Sequence, residues 1–278
     1  MSSILTNTGA MTALQTMKSI NRDLGTVQNQ ISTGKKVASA SDAPAVWAIS
    51  KVMEADIAGY EKIGESLSMN EGILSIARDA TQEVVRLLNQ AYETAALGTA
   101  ANADFEKIQD EVQELDLQVT DIIASASFNG TNLLADAGGN IDVVTAVGRD
   151  ASGDVVAGNI TSVEVTNASL DNTNNVTGAI NITSVADAEA ALVTLDTRIQ
   201  LAATAAADIG LALQRIESAR DFNSLMSDAV KRSMGAIVDT NMEEASARLQ
   251  ALQVQQQLGV QALSIANQAP QTILSLFR

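Results

Sequence analysis

The sequence predicts a mainly α protein: an elongated antiparallel helical bundle or coiled coil with paired terminal helices and a small β-rich insert. Three observations predict it. Apolar residues recur at alternating steps of three and four over most of the chain, the spacing of one helix face. Only two prolines occur in 278 residues, and aromatics make up 3% against 46% hydrophobic. Long uninterrupted helices are therefore permitted, and their core must be Ala, Leu, Ile and Val. Between residues 133 and 185 the composition changes: lysine and aromatics vanish, and β-branched runs alternate with turn signals.

The elements follow in order. Ala10, Ala13, Met17, Ile20, Leu24, Val27 and Ile31 form a seam over three heptads, and Gly34 ends that helix. The connector STGKKVASASDAP is small and polar. Asp42 before Ala43 and Pro44 reads as the next helix start. That helix runs to about Leu97, with Tyr60, Ile63, Leu67, Leu74, Ala77, Val84, Leu88 and Ala91 on one seam. Asn70 and Thr81 interrupt the seam, and Gly98 caps it. Asn102 is the expected cap of a third helix, with Asp104 in its first turn. Its seam is Phe105, Ile108, Val112, Leu115, Val119, Ile122 and Ala126, and FNGTN at 128–132 turns the chain. In the insert, residues 141–147 and 162–166 read as strands and 174–184 as a third, with turns at GRDASGD and AGN between the first two. Ser184 with Asp187 forms a capping box that opens a helix reaching about Ile237. Its seam is Leu192, Leu195, Ile199, Ala202, Ala206, Ile209, Leu213 and Ile216. Thr240 with Glu243 forms a second box and opens the last helix.

Composition excludes several function classes. A formal charge of -16 and a pI near 4.3 argue against nucleic acid and against an anionic membrane surface, since both need a basic face. There is no Cys and no His, so disulfides, thiolate chemistry and the commonest metal ligand are absent. No nucleophile elbow, Walker loop or Rossmann glycine run occurs. We expect no enzyme, no cofactor and no metal. Asp150 and Asp154 match no complete Ca²⁺ loop and read as a hydrated turn.

Charge is also missing from both ends. Residues 1–17 carry no charged side chain, and neither does Leu249 to Phe277. Nine amide residues in that tail argue against a membrane span. The first residues lack the basic and apolar regions of a cleaved signal. Two uncharged ends imply one shared, protein-lined environment in which charge would be costly.

Specific motifs sharpen this. SSILTNTGAMTALQTMKSINRDLGTVQNQISTGKKVASASDAPAVWAIS carries Leu5-Thr6-Asn7-Thr8, Ala13-Leu14-Gln15, Ile31 to Val37 and Ser39 to Asp42. It resembles the N-terminal signature of bacterial flagellin. FNGTNLL at 128–134 and LGVQALSIANQAPQTILSLFR at 258–278 resemble the same family. The resemblance covers roughly 1–134 and 187–278 and leaves out the insert, the family's variable middle.

The resemblance implies a secreted structural subunit that polymerises into the extracellular flagellar filament for motility. Its terminal helices would pack around a central export channel. Expected domains are a polymerisation core of 1–42 with 236–278, a helical bundle of 43–128 with 186–235, and an exposed insert at 129–185. Candidate polymer contacts are Ile4, Leu5, Leu14, Met17, Ile20, Leu24, Val27 and Ile31 at one end. At the other they are Leu249, Leu252, Val254, Leu258, Leu263, Ile265, Ile273, Leu274 and Leu276. Expected partners are further copies of the chain, the flagellar export apparatus, an export chaperone, and junction and cap proteins. Flagellins sensed by the flagellin-binding Toll-like receptor carry an Arg-rich patch. The matching positions here are Asn89, Gln90, Ala91, Tyr92 and Glu93, where Gln90 and Tyr92 replace Arg, so weak or absent sensing is expected. The resemblance also makes Thr161, Ser162, Ser169 and Thr173 candidate O-glycosylation positions. The sequons at Asn129, Asn159, Asn167, Asn175 and Asn181 read as turn composition, and Trp47 as a core or interface anchor. The alternatives are a hook-filament junction protein of the same family and a secreted membrane-active translocator.

Overall fold

The computed structural model describes residues 7–149, 155–171 and 176–276, with side chains as far as Gln268 in the last helix. Among the described residues the α-helices are α1 (Thr8–Thr33), α2 (Pro44–Leu97), α3 (Phe105–Ser125), α4 (Val185–Val238) and α5 (Met242–Leu276). Two short strands, β1 (Ser127–Phe128) and β2 (Thr131–Asn132), and two longer ones, β3 (Ile141–Arg149) and β4 (Val155–Val165), lie between α3 and α4. The chain divides into two compact units, Met1–Asp56 with Ala229–Arg278, and Ile57–Asp228.

In the first unit α1 and α5 lie antiparallel. Asn7 donates to the Ala266 carbonyl at 2.6 Å, Gln256 to Asn21 at 2.8 Å, and the Thr240 amide to Gly34 O at 2.9 Å. Their seam buries Ile20, Val27, Ala245 and Leu252, with Leu24, Ile31 and Leu249 packed against them. Asn7 caps α1 by accepting from the Ala10 amide. Gly34 ends it at φ 69, a left-handed conformation that glycine adopts without steric cost. The Asp42 carboxylate accepts from the Ala38 and Ser39 amides and the Ser39 hydroxyl. The Ser39 amide and hydroxyl hold its pKa below the ordinary value. Asp42 thus closes the connector rather than capping α2, which starts at Pro44. Trp47 is half-buried, with the Lys51 ammonium 5.9 Å over its ring.

In the second unit the three long seams meet. Leu67, Leu74, Val84 and Leu88 of α2 join Val112, Leu115 and Val119 of α3, and Leu195, Ile209 and Ile216 of α4. On α3 the buried stripe moves from Val119 to Ile123 while Ile122 stays half-buried. A straight 3.6-residue helix drifts off a strict seven-residue repeat in this way. The polar interruptions satisfy themselves: Thr81 donates to Ala77 O at 2.6 Å and Asn70 to Ser66 O at 2.8 Å. Gly98 ends α2 where any Cβ would stand 2.9 Å from that of Ala188. Close approach of α4 is the reason for glycine there.

FNGTN forms the β1–β2 hairpin, with Asn129 at φ 49 and Gly130 at φ 82, the two positive angles of a tight Asn-Gly turn. β3 pairs antiparallel with β4, Val143 opposite Val163 and Ile141 opposite Val165, and these inward valines are buried.

Several expectations are corrected. β4 runs through Ala157-Gly158-Asn159, read above as a turn, and register shifts at Val144/Ala146 and Val147/Arg149 absorb the irregularity. The third strand is not present over 176–184. There the Gly178 amide donates to Asp116 at 3.2 Å and the Ile182 amide to Gln109. α3 side chains take the place of a ladder partner, while Val176, Ile180 and Ile182 enter the core. The cap of α3 is Asp104, which accepts from the Lys107 amide, and not Asn102. The cap of α5 is Asn241, which accepts from the Glu243 and Glu244 amides, and not Thr240. The Ser184–Asp187 box forms as expected.

Candidate self-assembly surface

The seam between α1 and α5 uses only one face of each helix. On the other faces Met11 and Leu14 of α1, and Val254, Leu258, Val260 and Ile265 of α5, stand exposed; Ile265 is 68% exposed. Beside Met11 and Leu14 lies an open groove of about 450 Å³, lined also by Thr8, Thr12, Gln15 and Lys18. In α5 no charged side chain occurs between Leu249 and Phe277, whereas the groove on α1 has Lys18 at its edge. Exposed apolar side chains of this kind are candidates for association.

The structure sorts the sequence-derived contacts into two groups. Ile20, Val27 and Leu252 are buried within the chain, and Met17, Leu24, Ile31, Leu249 and Leu263 are half-buried. Leu14, Val254, Leu258 and Ile265 face outward. Ile273, Leu274 and Leu276 lie in the last turns of α5, where the backbone alone is described, and Ile4 and Leu5 lie outside the described residues.

Around residue 90, Asn89, Gln90, Tyr92 and Glu93 are exposed and Ala91 is buried. Gln90 accepts from Arg86, one turn earlier, at 3.4 Å. On β4, Thr161 and Ser162 are exposed. Ser169 is half-buried at φ 45, and Thr173 lies outside the described residues. Among the described residues no group of three or more acidic side chains could hold a metal ion. No described helix is long and apolar enough to cross a membrane.

One feature escaped sequence reasoning. Arg198 of α4 is 6% exposed and pairs with Asp116 of α3 at 3.0 Å. Its second nitrogen donates to Gly178 O at 2.9 Å, and its Nε has no hydrogen-bond partner. Burial raises the Asp116 pKa and lowers that of Arg198, in each case against the pull of the other. The one signal in the sequence was an arginine in an otherwise Ala- and Leu-rich inward face.

The comparisons fit this arrangement. The family model of the bacterial flagellin N-terminal helical region matches residues 4–138, and that of the C-terminal helical region matches 192–277. The chain belongs to the bacterial flagellin family. It is 37% identical over 284 residues to a flagellin of Brucella melitensis, with all of both chains covered. It is 36% identical over 281 residues to flagellin FljK of Caulobacter vibrioides, covering 100% of this chain and 99% of the other. A crystal structure of Bacillus cereus flagellin aligns with TM-score 0.47 and 20% identity over 57% of this chain and 88% of that one. As a flagellin, the chain is a structural, polymer-forming subunit of the extracellular flagellar filament, and not an enzyme.

Proposed function

We propose that this flagellin assembles through its terminal helices in two steps of burial. The seam of Met17, Ile20, Leu24, Val27 and Ile31 against Leu249, Leu252 and Leu263 first pairs α1 with α5 inside one chain. The outward residues Leu14, Val254, Leu258 and Ile265 then meet neighbouring copies, with Ile4, Leu5, Ile273, Leu274 and Leu276 extending the contact. The observation that carries this reading is the exposed apolar side chains left after the internal seam is filled, on α5 within a stretch free of charge up to Phe277. Each such side chain contributes roughly 1.5–3 kcal/mol when fully buried, so a few per copy suffice for a stable polymer.

In this reading residues 1–42 with 236–278 form the polymerisation core. Residues 43–128 with 186–235 form the bundle, and 129–185 project as the insert, with Thr161, Ser162, Ser169 and Thr173 as its candidate glycan carriers. The export apparatus, an export chaperone, and junction and cap proteins are its partners in secretion and assembly. Intact-mass measurement on shed filaments checks both the uncleaved N-terminus and the glycan state. Gln90 and Tyr92 make Toll-like receptor sensing weak or absent. Strong activation of receptor-reporter cells by nanomolar monomer would overturn that part alone.

The deciding experiment is pelleting with negative-stain electron microscopy of the full chain, of a chain ending at Thr240, and of one lacking residues 1–33. Long filaments from the full chain only are expected, with both truncations remaining helical by circular dichroism. Filaments from either truncation would refute the assignment to the terminal helices.

A further inference from the structure

The charge of this chain is divided unevenly. Residues 1–56 with 229–278 hold nine Lys/Arg against seven Asp/Glu, and residues 57–228 hold eight against 26. One unit is thus +2 and the other -18. Copies that stacked acidic unit on acidic unit would repel one another. A helical polymer is built from contacts in which one surface of a copy meets a different surface of the next. The charge division supplies two such surfaces.

The basic surface lies where the 34–42 connector meets the start of α5. A cleft of about 450 Å³ is lined by Asn29, Gln30, Lys35, Lys36 and Asp42, among others. A smaller one of about 170 Å³ shares Gln30 and Lys36 and adds Asn241, Glu244 and Arg248. Lys35 has a carboxylate partner, Glu54 at 3.9 Å. Lys36 and Arg248 are exposed and have no ion-pair partner among the described residues.

The acidic surface is the outward stripe of α3. Glu106, Asp110, Glu114, Leu117 and Asp121 follow steps of four, four, three and four, and all are exposed. None of the four carboxylates has an ion-pair partner among the described residues. Like charges at i,i+4, as in Glu106/Asp110 and Asp110/Glu114, weaken a helix. Leu117, 60% exposed, gives the stripe an apolar centre.

We propose that Lys36 and Arg248 of one copy receive the Asp110–Glu114 stripe of α3 from a neighbouring copy, making an electrostatic contact of the filament. This rests on the filament reading above. It adds a charged contact, outside the apolar ends, that makes assembly dependent on salt.

The test uses full-length chains in low salt, about 50 mM, where exposed charges act over more than 10 Å. Lys36→Glu with Arg248→Glu gives one variant, and Asp110→Lys with Glu114→Lys the other. Each alone should need at least roughly tenfold more protein to assemble, since like charges then face each other. Mixed in equal amounts, the two should assemble near the wild-type concentration, because each reversed surface meets its complement. The difference should shrink at about 1 M salt. Unchanged melting temperatures of the monomers would show that folding is not the cause. If uniform repulsion governed assembly, Asp110→Lys with Glu114→Lys would assemble more readily than wild type, since it lowers the net charge. That result overturns the proposal, and so does failure of the mixture to recover. Wild-type filaments with unaffected variants would reject this contact and leave the filament reading intact. Absence of wild-type filaments would reject both.

Discussion

Removing Asp116 while leaving Arg198 strands a guanidinium in the core of the bundle. The Arg198 side chain is 8% exposed and Asp116 16% exposed, so little water can replace the lost carboxylate. Breaking a buried pair from one side costs about 3–5 kcal/mol. The second unit has 172 residues, from Ile57 to Asp228, and for that size 1 kcal/mol moves the melting temperature by about 3 °C. Asp116→Ala should therefore melt about 9–15 °C below wild type, read by circular dichroism at neutral pH. Replacing both partners, as Asp116→Leu with Arg198→Met, should behave quite differently. Burial outweighs pairing for both groups, and the exposed Gly178, which both now contact, can bond to water instead. The double variant should melt within about 3 °C of wild type, or above it. A double variant as unstable as Asp116→Ala would refute the reasoning. It would mean that the pair itself, and not the stranded charge, sets the cost.

Further outcomes are expected. Leu252→Ala, at a position 7% exposed in the α1–α5 seam, should cost about 2–5 kcal/mol in the terminal unit. Ile265→Asp, on the exposed face, should leave monomer melting unchanged and abolish pelleting. Asn241→Ala should destabilise α5 by about 1 kcal/mol through loss of the observed cap, and Thr240→Ala by less, both read by denaturant melts. The Asp187 carboxylate is held below its ordinary pKa of 3.8 by the hydroxyls of Thr183 and Ser184. Its contribution is therefore complete above 3.8 and is lost as pH falls through the lower, folded value. The melting difference between wild type and Asp187→Asn should be full at about pH 6 and close in acid below 3.8. Asp116 has the opposite sign: its raised pKa means that its cost is relieved as pH falls toward 3.8.

The helices were legible because their seams are long and regular. Leu67, Leu74, Leu88, Leu195 and Ile209 lie on the three- and four-residue steps of one helix face, and α2 and α4 hold no proline beyond the first position of α2. Asn-Gly at 129–130 named its own turn. The misses share a cause. Asn102 and Asp104, or Thr240 and Asn241, are chemically equivalent caps, and only packing decides which one the helix starts after. The stretch 176–184 alternates like a strand, yet Asp116 and Gln109, more than 60 residues away, take its amides. No local pattern encodes that pairing. Arg198 was invisible for the same reason, since its partner lies 82 residues away.

The terminal helices show that apolar chemistry alone does not separate a core from a polymer contact. Val27 and Leu14 have the same chemistry and lie on one helix, yet one is 3% and the other 46% exposed. A heptad stripe needs a partner helix, and α5 of the same chain satisfies it for α1. What the partner leaves uncovered is therefore the informative part. Val254, Leu258 and Ile265 lie beyond the internal seam in a stretch free of charge. An isolated chain gains nothing by keeping charge off a wet face, because exposed charges cost a helix little and improve its solubility. An assembled chain gains a great deal, because each charge carried into a contact must be desolvated or paired. In the proposed assembly, the uncharged outer face of α5 is the part that other copies bury, and the seam behind it is the scaffold that holds that face in place.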